Sequence, residues 1–183
     1  MLSFIQRITM KTSHILFLSL LGLAPGFVLA ADQTPKSSRI EVNFFEPSNF
    51  TDIGDSRNPS EASRQSDLDQ IREYLVDQSK VFIPEGQRLE VTFTDIDRAG
   101  DFEPTRGPNW NDVRMVREIY PPRMTLTFRL VDANGSVIKE GKRELRDMNY
   151  LMKLNPIGQS DPLRHEKSLL DDWMRSEFGR ARK

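Results

Sequence analysis

The sequence predicts an α+β domain, a two-layer sandwich in which a four-stranded mixed sheet carries two helices on one face. Three observations support this fold class. Four short runs alternate apolar and polar residues, two longer runs place apolar residues at helical spacing, and the runs follow the order β-α-β-β-β-α. A signal peptide precedes the domain. The 183 residues include no cysteine, so packing rather than disulfides must stabilise the fold.

The amino-terminal segment has the three parts of a secretory signal peptide. Two basic residues come first, a nine-residue apolar run follows at Ile15–Leu23, and small residues precede a predicted cleavage site between Ala30 and Ala31. A membrane-spanning helix needs about 20 apolar residues. The run is therefore too short to be an anchor, and we expect it to be removed with the leader.

Cleavage at this point divides the sequence into three segments. We expect a signal peptide over residues 1–30, a short disordered lead-in over 31–38 and one globular domain over 39–183. The mature chain begins without a cysteine that could be lipidated. We therefore predict a periplasmic or secreted protein with no stable membrane anchor after cleavage.

The charge balance of the mature chain argues against nucleic-acid binding. The whole chain has 26 basic and 27 acidic residues, and the leader removes two basic residues and no acidic one, which leaves 24 against 27, a net charge of −3. A nucleic-acid-binding surface must be positive to displace counterions from phosphates. We therefore expect no nucleic-acid partner.

The first strand and the first helix lie on either side of a loop rich in Pro, Asn, Asp, Ser and Gly. The strand is predicted by alternating apolar residues at Ile40, Val42 and Phe44. Asn58 is placed to cap the helix, Pro59 suits its first position, and Glu61 completes a capping box. The apolar face of the helix comprises Leu68, Ile71, Leu75 and Phe82. Pro84 and Gly86 end it.

Three further strands are predicted after this helix. The second strand has its apolar face at Leu89, Val91 and Phe93, and the third at Met124, Leu126, Phe128 and Leu130. A strand-helix-strand unit of this length predicts a right-handed crossover, so the first two strands should be parallel. A turn over 132–135 leads to the fourth strand from Val137 onward. That strand is predicted to be an edge because it is heavily charged, at Lys139, Glu140, Lys142, Arg143 and Glu144.

The last element is a helix that ends near Phe178. Asp161 is expected to cap it and Pro162 to occupy its first turn. One stripe of the helix is apolar, at Leu163, Leu170, Trp173, Met174 and Phe178. Full burial of such a side chain contributes about 1.5–3 kcal/mol. We therefore expect the helix to be docked on the sheet.

Four segments carry a resemblance to a known family. They are Thr94–Gly100 (TDIDRAG), Asp112–Arg114 (DVR), Tyr120–Arg123 (YPPR) and Asp161–Trp173 (DPLRHEKSLLDDW). With them the chain resembles the domain of unknown function family 3016, predicted bacterial secreted or periplasmic proteins, over roughly Ile40–Phe178. The family has no assigned activity, cofactor or catalytic residue. The resemblance therefore implies a location and a single domain, and no mechanism.

Four carboxylates follow the second strand at close spacing: Asp95, Asp97, Asp101 and Glu103. Such a group is typical of a site for a hard cation such as Ca²⁺. An EF-hand loop that began at Asp95 would have Ala99 at its fifth position and Arg106 at its twelfth, where a bidentate glutamate is required. The alternative is that Asp95 and Asp97 cap backbone amides and pair with Arg98 or Arg114.

The connection between the second and third strands, residues 98–122, is 25 residues long, far longer than most. It contains a mixture of arginine, aromatic and acidic residues of the kind found in binding sites, namely Arg106, Trp110, Asp112, Arg114, Arg117 and Tyr120. Against a binding role, Val113, Met115, Val116 and Ile119 suggest that part of the loop packs on the domain as a short extra element. Trp110 would then be a lid over the core.

The last helix also contains His165, the one histidine outside the leader. An acid–base pair with Asp172 is disfavoured because seven positions separate the two residues by two helical turns. The family resemblance implies an aromatic residue at this position, which further weakens a role as a base. We expect Glu166 and Lys167 to belong to a solvated charged face.

These observations lead to two functional hypotheses. No serine lies in a nucleophile-elbow context and no glycine loop matches a phosphate cradle, so we expect no catalytic residue and no cofactor. The first hypothesis is a non-enzymatic binding or envelope-assembly accessory module, with an envelope protein as partner. It would use the loop around Trp110 and Arg114, or the fourth-strand edge. The alternative is a metal-dependent hydrolase or calcium-stabilised protein that uses Asp95, Asp97, Asp101 and Glu103.

Overall fold

A computed structural model of the chain describes residues 39–107 and 110–179. The predicted signal peptide, its cleavage site and the lead-in lie outside the described residues. The regular elements are β1 (Ile40–Phe44), α1 (Glu61–Phe82), β2 (Arg88–Asp97), β3 (Asp101–Phe102), β4 (Arg114–Met115), β5 (Arg123–Val131), β6 (Val137–Arg146) and α2 (Arg164–Phe178). Two short 3₁₀ turns cover Pro47–Asn49 and Pro104–Arg106.

The main sheet confirms the predicted mixed topology, with the strand order β1-β2-β5-β6. β1 pairs with β2 in parallel, in a register that places Ile40 beside Leu89. β2 pairs with β5, and β5 with β6, in antiparallel fashion. The charged strand β6 lies at an edge of the sheet, as predicted, and all ten of its residues are exposed or half-buried.

Both helices pack on one face of this sheet, because every strand except β6 turns alternate apolar side chains toward them. The core joins Leu68, Ile71, Leu75 and Phe82 of α1 and Leu169, Leu170, Trp173 and Met174 of α2 to Ile40, Val42, Leu89, Val91, Phe93, Ile96, Met124, Leu126, Phe128 and Leu130 of the sheet. The predicted apolar positions of both helices are thus confirmed. The predicted α+β sandwich is the fold observed.

The helix starts differ from the prediction. Ser60 caps α1, and its side chain accepts a hydrogen bond from the backbone N–H of Ser63. Asn58 lies two residues too early for this role. Residues 161–163 form a turn before α2, and Asp161 accepts from the N–H of Leu163 at 2.8 Å without capping the helix itself. Several polar residues near each helix start could act as a cap. The backbone path of the preceding loop determines which of them is placed to do so.

Topology brings the three long connections to one end of the sheet. β1, β2 and β6 run in the same direction and β5 runs opposite to them. The segments that follow β1, β2 and β6, residues 45–60, 98–122 and 147–163, therefore leave from the same end, which we call the loop end. The short connections over 83–87 and 132–136 lie at the other end.

The long 98–122 connection contains the extra element that its apolar residues predicted. β3 and β4 pair with each other as a two-stranded sheet, with Phe102 opposite Arg114. The prediction that Trp110 covers the core is wrong, because its side chain is 44 % exposed and stands outside the core cluster. Phe102 is the aromatic residue of this connection that is buried.

No helix in the described part of the chain combines the length and the apolar character needed to cross a membrane.

Replacing Ser60 by Ala tests the observed start of α1. The change removes the side-chain acceptor for the Ser63 N–H and should lower the free energy of unfolding by about 1 kcal/mol. Asn58→Ala is the matched control and should change the free energy by less than about 0.5 kcal/mol. Urea unfolding of both variants measures the difference, and a larger loss for Asn58→Ala would restore the cap that the sequence suggested.

Candidate functional site

Arg98 is the central charged residue of the loop end. It follows β2 directly, and its side chain is only 7 % exposed, as is that of its partner Asp67 on α1 at 9 %. One Nη donates to the Asp67 carboxylate at 2.8 Å and to the carbonyl of Gly54, and the other donates to the carbonyl of Pro162 at 3.0 Å. Arg98 therefore connects the end of β2 to the 45–60 loop, to α1 and to the turn before α2.

Gly54 completes this arrangement from the loop side. Its N–H donates to the same Asp67 carboxylate at 2.9 Å, so both of its backbone polar groups bind the Arg98–Asp67 pair. Its φ of +108° lies in the region that favours glycine, and a Cβ there would come within 2.4 Å of Pro59. The loop can follow this path only with glycine at this position.

Arg114 forms a second connection between the same loops. Its guanidinium makes a bidentate ion pair with Asp52, one branch at 3.0 Å, and stacks over the Phe102 ring at 4.5 Å. Its side chain is 14 % exposed. Arg114 thus points into the molecule and joins β4 to the 45–60 loop through Asp52.

Glu166 closes the arrangement from α2. The predicted solvated face is wrong here, because Glu166 is 1 % exposed and Lys167 is also buried. One Glu166 oxygen accepts from the N–H of Ala99 at 2.7 Å, and Lys167 reaches Asp161 at 2.6 Å. Burial raises the pKa of Glu166 above its usual range. Adjacent charged residues in the sequence could not reveal this burial, since they fit an exposed face equally well.

His165 is buried beside this group. Its ring meets Tyr150 edge-on with the centroids 4.7 Å apart, and within the part of the chain that the structure describes neither ring nitrogen has a hydrogen-bond partner. Burial, followed by the nearby charge of Arg164, lowers the pKa of His165 to about 4. At pH 7 the imidazole is therefore uncharged, and it packs against the Tyr150 ring.

The four carboxylates proposed as metal ligands have separate protein partners. Asp95 accepts from the backbone N–H of Thr51 at 2.7 Å and from its hydroxyl at 3.0 Å. Asp97 forms an ion pair with Arg123 rather than with Arg98 or Arg114. Backbone capping by Asp95 was thus correctly predicted, whereas the predicted arginine partners were wrong. The partner of Asp97 lies across the strand pair in β5, which sequence spacing does not show.

The other two carboxylates lie farther along the 98–122 connection. Asp101 accepts from the N–H of Phe102 at 2.7 Å. Glu103 forms an ion pair with Arg117 at 3.0 Å and accepts from the Tyr120 hydroxyl at 3.3 Å. Within residues 39–107 and 110–179, no three His, Cys, Asp or Glu side chains form a group that could hold a metal ion.

The most prominent exposed feature of the loop end is apolar. Exposed large apolar side chains occur on each of its three loops. Phe45 lies on the 45–60 loop, and eight lie on the other two loops, at Trp110, Val113, Val116, Ile119, Met148, Leu151, Met152 and Leu154. We call these eight residues the apolar loop surface. Ile119 is 68 % exposed, Met152 81 % and Leu154 100 %. Exposed apolar groups concentrated in this way mark interaction sites more often than scattered ones do.

Hydrogen bonds hold the two loops of the apolar loop surface side by side. The Tyr150 hydroxyl donates to the carbonyl of Arg117 at 2.7 Å, and the N–H of Asp147 donates to the carbonyl of Pro122 at 3.4 Å. Tyr150 itself is buried. The second loop is therefore anchored to the last part of the first, at Arg117 and Pro122, and their outward side chains belong to one end of the molecule.

The six residues of the predicted binding loop differ in exposure and in their ion-pair partners. Trp110 and Asp112 are exposed, Tyr120 is half-buried, Arg117 pairs with Glu103, and Arg114 points inward. The backbone of Arg106 lies in a 3₁₀ turn, and its side chain is outside the described part. The sequence did not indicate the second half of the surface. Its only signal is that apolar residues continue through Met148–Leu154 without strand or helix spacing.

The chain matches the profile of a known family. The profile of the family described as "Protein of unknown function (DUF3016)" matches residues 38–176. No curated protein and no solved structure matches the chain. The matched range includes Arg98, Arg114 and Glu166, which brace the loop end, and the whole of the apolar loop surface.

Replacing Arg98 by Met tests how much the Arg98–Asp67 ion pair contributes to the free energy of unfolding. The variant leaves the buried Asp67 without its partner, so the free energy of unfolding should fall by about 3–5 kcal/mol. Arg88→Met is the control, because Arg88 pairs with Glu41 and Glu90 at the surface and should cost less than about 1 kcal/mol. Urea denaturation measures both. Equal losses would show that Arg98 is no more important than a surface arginine.

The titration of His165 is accessible to measurement because the sequence contains one other histidine, His14, whose signal can be assigned separately. NMR of the ring protons should give a midpoint of about 4, where an exposed imidazole titrates near 6.5. Since the folded-state pKa is lowered, stability from this group is complete above the unfolded pKa. It is lost as the pH falls from about 6.5 through about 4.

The variant His165→Phe keeps the aromatic contact with Tyr150 and removes the titration. Its free energy of unfolding should fall less steeply over the same pH range than that of the wild type. A midpoint near 6.5 in the wild type, or identical pH profiles for the two proteins, would contradict the buried position.

Proposed function

This chain belongs to the DUF3016 family of proteins of unknown function, and from that starting point we propose that it is a non-enzymatic binding or assembly module of the bacterial cell envelope. It acts after export, as a periplasmic or secreted protein, and its partner is another envelope protein. The contact is made by the apolar loop surface. The observation that carries the proposal is the exposure of eight large apolar side chains on two loops of a braced scaffold.

The composition of the surface supports a role in binding. Tryptophan is among the residues that contribute most to binding energy in protein interfaces. Methionine adapts its flexible side chain to partners of different shape, and Met148 and Met152 are both exposed. An exposed apolar surface on a monomer costs solubility, so it is retained where contact with a partner compensates for that cost.

The scaffold beneath the surface supports the same function. Ion pairs of Arg98 and Arg114 join the 98–122 connection to α1 and to the 45–60 loop, and Tyr150 fixes the 147–163 loop to the 98–122 connection. Loops that are ordered before binding lose less conformational entropy when the partner arrives. The buried charges thus support a preformed contact surface.

The groups that chemistry would need are used in packing. Glu166 accepts from a backbone N–H, His165 packs against Tyr150, and Asp97 pairs with Arg123. A binding role uses the exposed residues and leaves these contacts intact. The edge of β6 is the less favoured contact, because its alternating charges oppose pairing with another strand.

The proposal that the protein is exported rests on its sequence. A basic start, a nine-residue apolar run and a small-residue cleavage site precede the domain. The absence of cysteine fits a fold that must survive an oxidising compartment without disulfide exchange.

Site-specific photo-crosslinking in the producing bacterium tests this proposal. A photoreactive phenylalanine analogue replaces Trp110 or Ile119 on the apolar loop surface, and Val81 or Val137 at the opposite end as matched exposed apolar controls. We expect the same envelope protein to be crosslinked from both loop positions and from neither control position.

Crosslinks of equal yield at all four positions would indicate non-specific proximity and overturn the proposed contact. A mature protein that retains residues 16–28, or that fractionates with the cytosol, would overturn the proposed location.

A further inference from the structure

We infer that the apolar loop surface recognises a basic amphipathic segment, a partner helix or peptide with one apolar face flanked by Lys or Arg. This inference rests on the proposed binding function and adds the chemical class of the partner. It is carried by the charges around the eight apolar side chains.

The basic residues on these two loops whose side chains the structure describes are already paired within the molecule. Arg117 pairs with Glu103 at 3.0 Å, and Arg114 pairs with Asp52 below the surface. Lys153, the basic residue of the second loop, reaches Asp147 at 2.6 Å and also pairs with Asp172. These positive charges are thus committed to the fold.

Two carboxylates beside the apolar side chains have no such partner. Asp112 lies between Trp110 and Val113 in the sequence, and Glu118 immediately precedes Ile119. Both are exposed, and neither forms an ion pair with any residue that the structure describes. On the 98–122 loop, the exposed charges beside the apolar groups that have no ion-pair partner among the described side chains are therefore negative.

An apolar surface with an acidic border selects among partners by charge. A second copy of this chain would bring the same carboxylates together, and like charges across an interface are unfavourable. An anionic lipid surface would be repelled for the same reason. A segment with an apolar face and basic flanks complements both the apolar side chains and the carboxylates. Its apolar face covers the loop side chains, and its cations pair with Asp112 and Glu118.

The side chains themselves favour a helical segment. Met148 and Met152 are long and flexible, and Leu154 is fully exposed, so they can pack between the residues of a helix face. Trp110 provides a rigid flat contact beside Asp112. Its indole face can also interact with a cation of the partner.

Binding of model peptides to the purified exported protein tests the inference. The first peptide, of about 18 residues, places Leu on one helical face and Lys on the other. The second replaces every Lys by Glu, and the third keeps the Lys composition but scrambles the order to remove the apolar face. Fluorescence anisotropy of labelled peptides should show saturable binding of the first alone, and its affinity should fall with added salt.

Variants assign that binding to the surface. Ile119→Ser with Leu154→Ser removes apolar contacts, and Asp112→Asn with Glu118→Gln removes the carboxylates without changing shape. Each pair should weaken binding by about tenfold or more, the loss typical of important interface residues. Val81→Ser and Glu73→Gln, exposed positions on α1, are the matched controls and should bind as the wild type does.

The outcomes separate this inference from the function on which it rests. Equal binding of the Lys and Glu peptides, or unchanged binding by the carboxylate variant, would overturn the basic partner while crosslinking at Trp110 still supported a binding module. Vesicles of anionic lipid that bind the protein while the Lys peptide does not would indicate a membrane surface. Self-association abolished by Ile119→Ser would indicate a second copy. Either of these results would also overturn the inference.

Discussion

Burial of the Arg98 guanidinium is the constraint on which the loop end depends. A charged group removed from water is costly unless it is paired and its donors are satisfied. Both Nη groups of Arg98 are paired, with the Asp67 carboxylate and with the backbone carbonyls of Gly54 and Pro162, whereas its Nε has no hydrogen-bond partner among the described residues. These acceptors come from distant parts of the chain, so the requirement of one side chain positions α1, the 45–60 loop and the turn before α2 together.

The loop end consequently inverts the usual distribution of side chains. Charges from Arg98, Asp67 and Glu166 lie inside, while large apolar residues such as Ile119 and Leu154 lie outside. Ion pairs and hydrogen bonds to the backbone fix the loops there, together with buried apolar side chains such as Ile53 and Leu163. The exposed apolar residues are then free to face outward, which is the arrangement that a preformed binding surface requires.

Much of the main sheet could be predicted because its pattern is local. Alternation at Ile40–Phe44 and Leu89–Phe93 identifies the strands and their buried faces without reference to other parts of the chain. The helix starts could not be placed so accurately, because Asn58 and Ser60 have similar capping chemistry and only the path of the loop selects one. Of the site, Trp110 and Asp112 were chosen as binding candidates by residue type, whereas the inward position of Arg114 and its ion pair with Asp52 could not be inferred from local spacing.

The main strands and helices, their order, most core positions and the edge character of β6 could be inferred from the sequence, since each follows from spacing or composition within a single segment. Which charges are buried and which loops meet depends instead on contacts between distant segments. Glu166 and Lys167 fit a solvated helix face by residue type, but both are buried, and Glu166 accepts a hydrogen bond from the N–H of Ala99. Met148–Leu154 joins the surface only because Tyr150 binds the backbone of Arg117, a contact across 33 positions that no local pattern contains.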